Sequence, residues 1–180
     1  MIADSVRLAL PAEAGQIAAL QRRAWSSTPS DELTTALLGE VDLAAMTEAW
    51  ERAILRPPLA QFRVLVAVAG TGRVVGFAAI GPSDDPDAAG GEDALVAEFV
   101  VDPAARGQGH GSRLLNACVD TFRADGFVRA TWWVRSTDDD LRTFVTGAGW
   151  APDGAHREIG TEDDHARVKL IRLHTDISTA

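Results

Sequence analysis

Tyrosine is absent from the sequence, and cysteine occurs once, at Cys118. A single thiol allows no internal disulfide, and its place among the apolar positions of a predicted helix marks a buried structural group rather than a nucleophile. The histidines His110, His156, His165 and His174 stand with no cysteine or carboxylate at zinc-ligand spacing, so no metal is expected. Basic residues are scarce: 17 Lys and Arg against 26 Asp and Glu leave a formal charge of −9. That balance argues against nucleic acid as a partner, which needs a basic face, and mildly favours a cationic substrate. No apolar run is long enough to span a bilayer, and the N-terminus lacks the basic region, apolar core and cleavage site of a secretory leader. A cytoplasmic protein with no membrane partner is expected. Repeats, long linkers and low-complexity tracts are also missing, and 180 residues with 46% hydrophobic content read as one domain, 1–180, with its own core.

What is present is organised around residues 95–115, L-V-A-E-F-V-V-D-P-A-A-R-G-Q-G-H-G-S-R-L-L. An apolar, β-branched run is cut at Asp102-Pro103, because proline has no amide for a central ladder. A turn with Gly107, Gly109 and Gly111 follows, and then Leu114, Leu115, Cys118, Val119 and Phe122 recur at helical spacing. The pattern is strand, loop, helix. Glycines let the backbone approach a ligand closely, and the free amides of the new helix carry partial positive charge, so the loop suits a diphosphate. Arg106 and Arg113 would supply charge for it. The spacing is neither the Walker pattern nor the dinucleotide G-x-G-x-x-G.

The arrangement Val101-x-Pro103-x-x-Arg106-Gly107-x-Gly109-x-Gly111, followed by Leu114-Leu115, resembles the acetyl-CoA signature of the GCN5-related N-acetyltransferases (GNAT). The resemblance implies an α/β (α+β) fold in which about four helices flank a mixed central sheet of six to seven strands, with a β-α-β core for acetyl-CoA. It assigns cofactor contacts to Phe99, Val100 and Val101 on the central strand and to Arg106, Gly107, Gln108, Gly109, His110, Gly111 and Ser112 in the loop. Residues 138–150 resemble the second family signature, N-x-x-A-x-x-F-Y followed by G-F, at Asp138, Leu141, Phe144, Val145 and Gly149-Trp150. Two positions depart from it. The asparagine that contacts the pantetheine arm is Asp138, which accepts hydrogen bonds but has no amide to donate. The tyrosine that protonates the departing thiolate is Val145.

Along the chain, residues 6–9 suggest a first strand, and Pro11 opens a helix bearing Ile17, Leu20 and Ala24 that breaks at residues 26–30. A second helical region from about Asp31, kinked at Gly39, carries Met46, Trp50 and Ile54 until Pro57-Pro58. Trp25 and Trp50 are either walls of the acceptor site or core packing. Residues 63–68 and 74–80 read as a hairpin. The acidic stretch 81–93, with Asp84, Asp85, Asp87, Glu92 and Asp93, reads as mobile, either a lid or a solvated hairpin tip. Residues 128–134 form a strand parallel to the central one. A closing hairpin pairs 155–159 with 166–173.

Acetyl transfer to an amine needs a polarised thioester carbonyl, an unprotonated nucleophile and an acceptable leaving group. Glu98, the one carboxylate inside the apolar central strand, is the candidate catalytic base if buried, and otherwise an exposed or salt-bridged strand residue. Main-chain amides at Phe99 and Val101 would bond the pantetheine arm. Water, or a hydroxyl such as Ser136 or Thr137, would assist thiolate departure. The expectation is direct acetyl transfer from acetyl-CoA to a primary amine of a small molecule or peptide by a homodimer, with a non-catalytic acyl-CoA sensor as the alternative.

Overall fold

A computed structural model describes residues 4–27 and 32–179. One seven-stranded sheet has the order β1-β2-β3-β4-β5-β7-β6 among these residues. Its strands are β1 (Ser5–Leu8), β2 (Arg63–Val68), β3 (Val74–Pro82), β4 (Asp93–Val101), β5 (Arg129–Arg135), β6 (Ala151–Gly160) and β7 (Arg167–Asp176). The helices are α1 (Ala14–Ser27), α2 (Glu32–Glu40), α3 (Leu43–Leu55), α4 (His110–Ala124) and α5 (Asp139–Gly147). Neighbours in the sheet run antiparallel except β4 and β5, which are joined through α4 and run parallel. The β-α-β unit expected from the glycine loop is therefore present.

β2 and β3 are unbroken apolar runs because both faces of the sheet are covered there. On one face Leu65, Ala78, Val96 and Trp132 pack against Leu114, Leu115, Cys118 and Phe122 of α4. On the other, Val64, Val66 and Phe77 meet Ile17 and Leu20 of α1, with Trp50 and Ile54 of α3 against them. Cys118 is fully buried and burial pushes its thiol up to about 12, as befits a structural residue.

The second helical region is two helices rather than one kinked helix. Asp42 starts the new one, its side chain accepting the Ala45 N–H at 2.8 Å. Arg22 holds the junction, donating to the carbonyls of Val41 and Leu38. The break expected at residues 26–30 and the start near Asp31 fall mainly on residues 28–31, outside the described residues, and α1 continues to Ser27. The closing hairpin starts earlier than expected, at Ala151, with an irregularity between Pro152 and His156 where Gly154 takes φ 90°. β3 likewise runs two residues further, to Pro82.

Candidate functional site

β4 and β5 pair only from Asp93 with Arg129 to Val96 with Trp132. Beyond that point β5 stays with β7 to Arg135 and β4 stays with β3 to Val101, so the two parallel strands separate. Asp102 N donates to Val75 O at 2.7 Å, and the Val100 carbonyl lies against Gly76. By strand alternation Phe99 and Val101 turn their N–H and C=O groups the other way, into the gap β5 has left. These are the amides required for an extended amide-bearing arm.

The β3–β4 register shifts at the same place: Ala79 stands opposite Glu98, but Ile80 stands opposite Val96, and Ala97 is the extra residue. Strand alternation alone would put Glu98 on the face of Val96, against α4. The bulge moves it to the face of Ala79 and Val64, beneath α1 and α3. Glu98 is half-buried there, and no described residue donates a hydrogen bond or ion pair to it. Burial alone pushes its carboxyl up to about 7.

The glycine loop lies at the β4 end of the gap. Gly107 (φ 75°) and Gly109 (φ 84°) occupy the left-handed region, and Gly109 is the N-cap of α4 without a side-chain cap. The first-turn amides of His110, Gly111 and Ser112 thus have no side-chain acceptor. Gly111 has no such constraint, since a Cβ there would sit 3.5 Å from Phe144 Cζ, an ordinary contact. Arg106, Gln108 and Ser112 are exposed beside the loop. Arg113 proves less available than Arg106. Its guanidinium donates to Asp4 Oδ2 at 3.0 Å and the Gln108 carbonyl at 3.3 Å, and lies 3.1 Å from Nδ1 of the buried His110. A guanidinium can only donate, so Nδ1 is the acceptor and His110 is spent on holding the loop.

Asp138 is the N-cap of α5, its Oδ1 accepting from Leu141 N at 3.1 Å. Val145 is fully buried in the α4-side core. Phe144, named in the second signature but given no role there, faces the site instead: its ring centroid is 6.2 Å from that of Phe99. Ser136 is half-buried and Thr137 exposed at the end of β5.

On the Glu98 face a cleft of about 150 Å³ opens between α3 and strands β2 to β4. Trp50 lines it, with Nε1 turned away to Gln21 Oε1 at 2.9 Å and its ring 5.1 Å from that of Phe77. Trp25 is half-buried on α1 and is not part of the lining. The two tryptophans expected as walls therefore separate into one that is and one that is not.

The acidic stretch is a hairpin connection with a solvated tip, Asp84, Asp87 and residues 89–92 being exposed, but it is anchored through the buried Asp85. Both oxygens of the buried Asp85 accept from Trp133 Nε1 at 3.0 Å, and Oδ2 accepts from Arg172 Nη1 at 3.2 Å. Asp87 takes two bonds from Arg172, at 2.6 and 2.7 Å, and these hold its carboxyl down at about 2. Arg172 and Arg129 converge on Asp153 at 2.7 and 2.6 Å, and Arg129 also binds Asp93. The loop is clamped onto β5 and β7.

The free loop amides, the left-handed glycines and the opened strand suit an anionic, amide-bearing thioester such as acetyl-CoA. Among the described residues no cluster of three or more His, Cys, Asp or Glu is placed to hold a metal, and no helix is long and apolar enough to cross a membrane.

Comparison with known proteins gives the same reading. The family model described as Acetyltransferase (GNAT) family matches residues 20–149. No curated protein matches the sequence. Among solved structures, a GCN5-related N-acetyltransferase from Kribbella flavida is 24% identical, with TM-score 0.71 over 97% of this chain and 98% of that one. An N-acetyltransferase from Staphylococcus aureus Mu50 is 18% identical, with TM-score 0.75 over 97% and 99%. The protein yncA of Salmonella typhimurium, solved with its cofactor acetyl-CoA, is 21% identical, with TM-score 0.70 over 98% and 95%.

Proposed function

The chain belongs to the GNAT acetyltransferase family, whose members are acyltransferases, and from that premise we propose that it moves an acetyl group from acetyl-CoA to a primary amine of a small molecule or peptide by direct transfer. The observation that carries this is the parting of β4 from β5 beyond Val96 and Trp132, with the glycine loop at its end and Glu98 turned to the opposite face. In this reading the amides of Phe99 and Val101 bond the pantetheine arm, with Val100 between them. The amides of residues 107–112 and the Arg106 guanidinium hold the diphosphate.

An amine with a pKa of about 10.4 is mostly protonated at neutral pH. Glu98 takes that proton, its own affinity raised by burial. The amine lone pair attacks the thioester carbonyl, the new C–N bond forms, the nitrogen gives up its extra proton to water, the C–S bond breaks and the thiolate departs. No tyrosine exists to protonate it, and a thiol pKa of about 8.5 lets it leave with water as the acid. A single domain forming a homodimer in the cytoplasm is part of the same proposal.

The buried Val145 at the position of the family's acid favours one second reading, an acyl-CoA sensor without turnover. Two experiments separate these. Titration calorimetry with acetyl-CoA and with CoA tests the site, with binding of micromolar order expected and lost in Arg106→Glu. A thiol-release assay with acceptor amines then tests turnover: an enzyme loses rate but keeps acetyl-CoA affinity in Glu98→Gln, whereas a sensor has no rate to lose.

A further inference from the structure

Resting on the acetyltransferase reading of the same site, we infer that the acceptor is a primary amine carrying one compact apolar group, of phenyl or isobutyl size, close to its nitrogen, and no second positive charge. The cleft adjoins the base. Ala97, which precedes Glu98, and Ala79, which stands opposite it, both line the cleft, so a group a few bonds from a nitrogen at Glu98 enters the space beneath Trp50 and Phe62. Its volume, about 150 Å³, is that of an apolar protein cavity known to accept benzene.

The lining is chosen for carbon. Trp50 has its N–H committed to Gln21 and presents only ring carbon. Phe62 lies flat on Gly81, filling the space a side chain would take there. Of the described residues in the lining only Arg63 is charged, and its guanidinium is bound by Asp125. A second ammonium entering the cleft would be stripped of water with no carboxylate to receive it. Of the acidic residues that follow the cleft-lining Pro82, Asp85 and Asp87 are held by Arg172, and the exposed Asp84 is not part of the lining. The overall charge of −9 therefore does not make this a polyamine site.

The test uses the full chain with acetyl-CoA and four amines: phenethylamine, L-leucinamide, methylamine and spermidine. Each is assayed by thiol release and titrated into CoA-saturated protein. The first two are expected to show kcat/KM at least about ten-fold above the last two, the scale at which apolar pockets discriminate. Ala53, on the exposed side of α3 at the cleft wall, tolerates replacement without disturbing the core. Ala53→Phe should raise KM for phenethylamine about ten-fold and leave KM for acetyl-CoA unchanged. Ala53→Asp should shift preference toward spermidine. Preference of the wild type for spermidine, or a phenethylamine KM unmoved by Ala53→Phe, overturns the inference. So does turnover of methylamine or spermidine without turnover of the two apolar amines. Acetyl-CoA binding with turnover of none of the four is the sensor's result and overturns the acetyltransferase reading. Failure of the folded protein to bind acetyl-CoA would likewise overturn the acetyltransferase reading itself.

Discussion

Ala79 of β3 stands directly opposite Glu98 of β4, although the next pair along the ladder is Ile80 with Val96. The one residue left over, Ala97, turns Glu98 from the α4-side core to the α1 and α3 side of the sheet. Since no described cation offsets its burial, the carboxyl keeps its proton to about pH 7. At saturating amine, kcat is expected to climb with pH to a break near 7. In Glu98→Gln that break should disappear and kcat should fall about 10²-fold or more, with acetyl-CoA affinity unchanged. A wild-type profile with no inflection between pH 6 and 8 would remove Glu98 from the role of base.

The same burial sets a pH-dependent stability. A carboxyl whose folded pKa is raised from 4.5 to about 7 binds its proton more tightly folded than unfolded, so stability is lost as pH rises through that window. Glu98→Gln should match the wild type near pH 4 and exceed it above pH 7, by about 1–3 kcal/mol. Chemical denaturation at pH 4.5 and pH 8 reads the difference directly. A variant less stable than wild type at pH 8 would show that Glu98 has a stabilising partner.

Gly109 and Gly111 should respond differently to alanine. Gly109 has φ 84°, and a Cβ there would lie 3.1 Å from Arg113 Nη1, against the clamp that orders the loop. Gly109→Ala is expected to cost about 1–2 kcal/mol and weaken acetyl-CoA binding. Gly111→Ala, free of the left-handed strain, should stay within about 0.5 kcal/mol. Urea midpoints and calorimetric titrations of the two variants test the contrast.

Arg172 is the keystone of the clamp on the β3–β4 loop. Removing it leaves the buried Asp85 with Trp133 Nε1 and the more distant Arg157, while Asp153 keeps Arg129; breaking a buried ion pair costs about 3–5 kcal/mol in comparable settings. Arg172→Lys should recover little, because a single ammonium cannot reproduce the two-pronged bonds to Asp87. Hydrogen exchange in residues 83–92 should rise sharply in either variant. Unchanged protection there would mean that the loop is ordered by something else.

Cys118 should be unreactive in the folded protein. With its thiol fully buried and held near 12, labelling by a thiol reagent at pH 8 is expected only after opening, and its rate should rise in step with urea. Prompt labelling would contradict its burial.

Local chemistry determined much of this protein. Periodicity marked β2 at its observed ends, Arg63 and Val68, and placed β5 within one residue, because an apolar run bounded by glycine or proline has few alternatives. The glycine loop and the helix after it were legible for the same reason: Pro103 must end a strand, and positive-φ glycines must turn. What tertiary structure decided is everything that depends on a partner far along the chain. Asp85 looked like a solvated loop acid, since the arginine that binds it lies 87 residues away, and although Asp87 is exposed, the same arginine ties it down. Trp25 and Trp50 were indistinguishable as letters, and only the packing of α1 and α3 put one of them in the cleft. Glu98 was conspicuous as the one carboxylate in an apolar strand, but which face it took was set by the slip in register against β3, and its proton affinity by the side chains that closed over it. Register and desolvation are properties of strands and helices brought together, and no stretch of sequence carries them alone.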